Sequence, residues 1–99
     1  MNRHEHLATT ATEECGEVAQ RISKALRFGW SEVQPGQPLN NAERIVQEFH
    51  DLYAMLDWLQ DEGLIADHLI LRPNTNQMAA KRAKVEKFMA ISREQGVLS

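Results

Sequence analysis

Ninety-nine residues suit a single domain with a modest core, and 42% apolar with 25% charged residues excludes a disordered chain. A net charge of −3 excludes a global attraction to nucleic acid or to an anionic membrane surface. One cysteine excludes an intrachain disulfide; no run approaches the ~20 apolar residues of a membrane span, and "MNRHEHLATT" has no apolar h-region, so a cytoplasmic location is expected.

The spacing predicts a first helix from about residue 2 to 28. Asn2 is placed as N-cap and Glu5, three residues on, as its capping-box partner. Leu7, Ala11, Cys15, Val18, Ile22 and Leu26 step by four or three and draw one apolar stripe, on which Cys15 reads as a small buried hydrophobe. Gly29 follows at the position after the C-cap. "GWSEVQPGQPLN", with two prolines and two glycines, reads as a loop. A second helix opens at Asn40, with Glu43 closing a capping box, and stops at Gly63; its stripe is Ile45, Phe49, Leu52, Leu56 and Leu59. "LIADHLILRPNTN" admits a short helix or an extended turn, ended by Pro73. A third helix starts between Asn74 and Asn76 and runs to Gly96, with Val85, Phe88 and Met89 on its buried side.

No strand-like alternation and no repeat is found. The expected class is therefore all-α: one domain over residues 1–99, a bundle of three long helices with room for a short fourth. Leu26, Val46, Tyr53 and Trp58 fall off or at the edge of the stripes. Such leftover apolar surface predicts a homodimer or a dimer of dimers, with the site near the interface.

Acidic residues give the chain its chemistry. Glu13, Glu14 and Glu17 crowd into five residues of the first helix, where like charges three and four apart repel by roughly 0.2–0.5 kcal/mol per pair. On a wheel of ~100° per residue Glu14 lies about 60° and Glu17 about 120° from the stripe centre, on one flank. Glu48 and Asp51 repeat those offsets on the second helix, while Glu13 points away from the core. One such pair is ordinarily a solvated face; two with matched offsets bring four carboxylates together if the helices pack side by side. Partly buried like charges raise one another's pKa, and a hard divalent ion removes the conflict. An all-oxygen donor set favours Mg²⁺, with Mn²⁺ as substitute, over zinc. His50 sits two residues after Glu48, not three, so no Glu-x-x-His di-iron motif is formed.

The pattern Glu13-Glu14-Cys15-Gly16-Glu17 followed by Glu48-Phe49-His50-Asp51 resembles the MazG-like family of all-α nucleoside triphosphate pyrophosphohydrolases. "EECGEVAQRISKALRFG" and "KRAKVEKFMAISREQGVL" are similar to small stand-alone members, phage-encoded ones included. The likeness covers most of the chain and is weakest over residues 60–77. It implies that Glu14, Glu17, Glu48 and Asp51 hold Mg²⁺ and that water attacks the α-phosphorus, releasing nucleoside monophosphate and pyrophosphate. Glu13 then matches the acid that orients or deprotonates the water. Lys24 continues the acidic flank of the first helix as a phosphate contact; Lys81 and Lys84 share a face of the third helix and match the basic residues members use there. Trp30, in the Gly/Pro loop, is the candidate wall for a base. Two alternatives stay open: a base-specific dUTP or dCTP hydrolase, and a non-catalytic helical interaction module retaining an acidic ridge. A nucleoside triphosphate and a second copy of the chain are the expected partners, with neither nucleic acid nor membrane.

Overall fold

The computed structural model describes residues 1–66 and 72–99. It contains three α-helices, α1 (Arg3–Phe28), α2 (Asn41–Asp61) and α3 (Thr75–Glu94), and no strand among the described residues. The short helix or turn expected between α2 and α3 falls mainly on residues 67–71, outside the described residues. Residues 64–66 and 72–74 are not helical.

Local chemistry sets the helix ends. The Asn2 side chain accepts from the Glu5 N–H, and Asn74 does the same for Gln77. At α2 the capping box closes in both directions between Asn40 and Glu43. At the far end of α1, Gly29 takes φ 103°, a left-handed conformation that a β-carbon resists, while its N–H caps the Ala25 carbonyl.

Helices α1 and α2 pack antiparallel. At one end Arg3 Nε donates to Glu62 Oε1 at 2.6 Å; at the other, Asn41 Nδ2 donates to the Gly29 carbonyl at 2.8 Å. Leu7, Ala11 and Leu59 form the buried cluster, with Met55, Leu56 and Ile65 against it, and Ala25 is buried nearer the loop. The loop is drawn onto the start of α2 by bonds from Asn41 N–H to the Glu32 carbonyl and from Ala42 N–H to the Trp30 carbonyl.

The contact face is not the stripe expected from the sequence. On α1 it runs Leu7, Ala11, Glu14, Val18, Arg21, Ala25; Cys15, Ile22 and Leu26 are exposed, the last at 72%. On α2 it runs Asn41, Ile45, Glu48, Leu52, Met55, Leu59, and Phe49 is exposed. Each face is turned about 40° from the expected stripe, and both turn toward the acids. Ala11 is shared by both faces; the turn brings small Ala25 into the contact and leaves bulkier Ile22, Leu26 and Phe49 on the other side. The pair is thus two-sided. Carboxylates line one rim of the seam; Ile22, Leu26, Val46, Phe49 and Tyr53 form an apolar surface along the other.

Helix α3 contains no buried residue. Val85, Phe88 and Met89, expected to be buried, are exposed within the single chain, as are Met78 and Ile91. A three-helix bundle is therefore not closed by this chain: α1 and α2 are the helices that pack extensively on each other. Among the described residues, no helix is long and apolar enough to cross a membrane.

Candidate metal centre

Rotation of the two faces brings Glu14 and Glu48 close to the seam, about 20° from its centre on each helix. Both are half-buried, whereas Asp51, one turn on from Glu48, stays exposed. Ligand oxygens of Glu14, Glu48 and Asp51 all lie within 4.8 Å of one another. Three acids from two helices thus meet with an open side toward solvent.

Crowding has an electrostatic signature. The Glu48 carboxyl is raised above its ordinary 4.5, first by burial and then by the negative charges of Asp51, Glu17 and Glu14. A hydrogen bond with Asp51, available when Glu48 is protonated, pushes the same way. A dication at this point reverses the sign of that local field, because its charge favours every carboxylate that the others disfavour. The donors are hard carboxylate oxygens without His or Cys, which fits Mg²⁺ or Mn²⁺.

The other candidates are placed unequally. Glu17 is exposed and lies outside the three-residue cluster, yet its charge is felt at Glu48. Glu13 is exposed, in keeping with its outward place on the helix. Lys24 is half-buried on α1. Lys81 and Lys84 are exposed on α3, a helix that buries nothing and makes no extensive contact with α1 or α2. Trp30 is 53% exposed in the loop, its carbonyl committed to Ala42. His50 faces away, its Nδ1 2.9 Å from the Val46 carbonyl.

Two residues matter more than their sequence context suggested. Asn41 is 1% exposed and ties the loop to α2 through the Gly29 carbonyl and, at 3.3 Å, Glu32 Oε1. Its signal is the doubled asparagine of "LNNAER": the first caps the helix and the second clamps the loop. Arg21 is 7% exposed, and its Nε and Nη1 have no hydrogen-bond partner. Its signal was the spacing of seven from Glu14, which places both on one line of the helix.

No protein-family model, curated protein or solved structure matches this chain. The functional reading therefore rests on the residues themselves.

Proposed function

We propose that this chain is a Mg²⁺-dependent nucleoside triphosphate pyrophosphohydrolase, acting on ribo- or deoxyribonucleotides. One observation carries the reading: Glu14, Glu48 and Asp51 converge within 4.8 Å from two helices, in the order and spacing of the E-E-x-x-E and E-x-x-D motifs. Glu14, Glu48 and Asp51 would hold the ion, with Glu17 at the rim; Mn²⁺ would substitute. When bound, such an ion neutralises phosphate charge and lowers the pKa of water, the two needs of phosphoanhydride hydrolysis at neutral pH.

The chain's own residues supply the rest. Packing of α1 on α2 fixes the carboxylates before ligand arrives, so little ordering is left for binding. Asp51, exposed beside the half-buried Glu48, leaves the approach open to a polyphosphate. Glu13 stands one residue before Glu14 on the solvent side, where a role in orienting water requires the ligand or a second copy to come to it. Lys24 is the lysine candidate on α1, and Lys81 and Lys84 reach a site only if α3 packs on an α1–α2 pair. The exposed faces of both parts supply a reason for that packing: Val85, Phe88 and Met89 on α3, and Ile22, Leu26, Val46 and Phe49 on the pair. A homodimer, or a dimer of dimers, in which these surfaces cover one another is the assembly we propose.

A panel of ribo- and deoxyribonucleoside triphosphates, assayed with and without Mg²⁺, tests the function. Release of pyrophosphate and monophosphate only with the metal is expected, and preference for dUTP or dCTP would narrow the substrate. Orthophosphate as the product, or no cleavage of any nucleotide, would refute it and leave an interaction module with an acidic ridge.

A further inference from the structure

The single chain carries more surface than its mass requires. Its accessible area is 7674 Å², where a compact chain of 11.3 kDa exposes about 5,700 Å². The surplus, roughly 1,900 Å² per copy, exceeds the ~800 Å² that one partner gives to a stable interface and reaches the scale of permanent homodimers. Two exposed apolar surfaces stand ready to bury it. One is the side of the α1–α2 pair that bears Ile22, Leu26, Val46, Phe49 and Tyr53. The other is on α3, where Met78, Val85, Phe88 and Met89 fall within an arc of about 100°.

Charge decides how two copies can bring these surfaces together. Residues 1–62 hold eleven Asp and Glu against five Lys and Arg, a net −6. Residues 75–94 hold two Glu against five Lys and Arg, a net +3. Lys81 lies inside the apolar arc of α3, and Arg82 and Lys84 lie at its two edges. A contact of pair on pair sets acid against acid, and one of α3 on α3 turns Lys81 toward a second cationic face. Only α3 on the pair joins opposite signs, the arrangement that favours encounter and disfavours the other two. Within the single chain that contact is not made, since α3 buries no residue and packs extensively on neither α1 nor α2. A second copy supplies it twice, and a two-fold axis closes the association at two chains.

We propose that two chains exchange their third helices reciprocally, each laying Val85 and Phe88 of α3 on the Leu26, Val46 and Phe49 side of the other copy's α1–α2 pair. The inference deepens the assembly proposed above, on which it rests for the covering of these surfaces, and it does not draw on the hydrolytic chemistry. Glu14, Glu48 and Asp51 line the opposite rim of the seam, so substitutions on the covered side leave them in place.

Native mass spectrometry of two variants, alone and mixed, tests the exchange. Leu26→Asp/Val46→Asp spoils the surface of the pair, and Val85→Asp/Phe88→Asp spoils that of α3; all these side chains are exposed, and the core at Leu7, Ala11 and Leu59 is untouched. Two carboxylates buried without partners break a contact outright, so each variant alone, with both contacts spoiled, should dissociate at least ~100-fold more readily than wild type. Mixing the variants restores one intact contact, the unaltered α3 on the unaltered pair. Mixed dimers should therefore form at least ~10-fold more tightly than either variant associates with itself. Wild type supplies a readout that needs no variant: after heavy-isotope-labelled and unlabelled chains are mixed, carbodiimide should join α3 lysines of one isotope to α1–α2 acids of the other. Dimeric wild type with no tighter association in the variant mixture would overturn the exchange and leave a like-on-like dimer. Wild type that stays monomeric at every concentration would overturn it together with the proposed assembly. Variants as dimeric as wild type, or cross-links confined to chains of one isotope, would overturn it as well. Nucleotide cleavage is read separately by the panel with and without Mg²⁺, so the hydrolase reading stands or falls apart from this one.

Discussion

The α1–α2 pair and α3 are built from the same kinds of residue, yet one part makes a core and the other makes none. The pair has a buried cluster at Leu7, Ala11 and Leu59, hydrogen bonds at both ends and a loop clamped at Asn41. α3 has an Asn74 cap, twenty residues and no buried side chain. Helices in proteins draw most of their stability from tertiary packing, and α3 buries none of its own residues in the single chain. The difference is one of placement: carboxylates gather on one rim of the pair, and exposed apolar side chains lie on its opposite side and on α3.

Replacing a charge on each part breaks that contrast most sharply. Asp51→Ala should lower kcat by about 10²–10³-fold, the scale of losing one preorganised electrostatic contact, with the helical circular dichroism kept. Glu86→Ala, the same change on α3, should leave the rate within about twofold. Comparable losses from both, in a steady-state pyrophosphate assay, would mean that the acids of the seam have no special place.

Stability gives the next contrast. Leu59→Ala should cost about 2–3 kcal/mol in urea unfolding at any protein concentration, because it empties part of a small core. Phe88→Ala should stay within ~0.5 kcal/mol in dilute protein, as for other exposed positions, and become costly only as concentration rises and a second copy covers the side chain. A concentration-independent loss at Phe88 would place α3 within the fold of one chain.

The smallest expected effect concerns Glu48. Its carboxyl is raised in the folded chain, so the native state holds that proton more tightly than the unfolded state. The stability linked to Glu48 is full below the ordinary 4.5 and is lost as pH climbs through the raised value. Metal-free Glu48→Gln should therefore melt above wild type at pH 7, by about 2–4 °C, and match it near pH 4. Mg²⁺ should narrow the gap at pH 7. Parallel melting curves across this range would show that Glu48 feels no crowding.

Much of this was legible in the residues. The three helices, the Asn40–Glu43 capping box and the Asn74 cap follow from local chemistry, which needs no knowledge of tertiary contacts. The acidic pairs were visible because like charges at three-residue spacing are a local oddity. Rotation of the seam was not visible. Leu7, Ala11 and Val18 belong to both the expected stripe and the observed face; the apolar pattern favoured the side that adds Cys15, Ile22 and Leu26, and contact went to the side that adds Glu14, Arg21 and Ala25. That choice is made between helices and leaves no mark on either alone. It is also why Cys15 proved exposed and Arg21 buried.

The Asn41 clamp has a practical corollary. It ties the start of α2 to Gly29 and Glu32, and the neighbouring Ala42 N–H bonds the Trp30 carbonyl, so the connection is held at its root while Gly36 lies exposed in a turn. Residues inserted at that tip would lengthen the connection without sliding one helix past the other. Gly36 is therefore the natural point at which to graft a fluorescent reporter or an affinity peptide while Glu14, Glu48 and Asp51 keep their alignment.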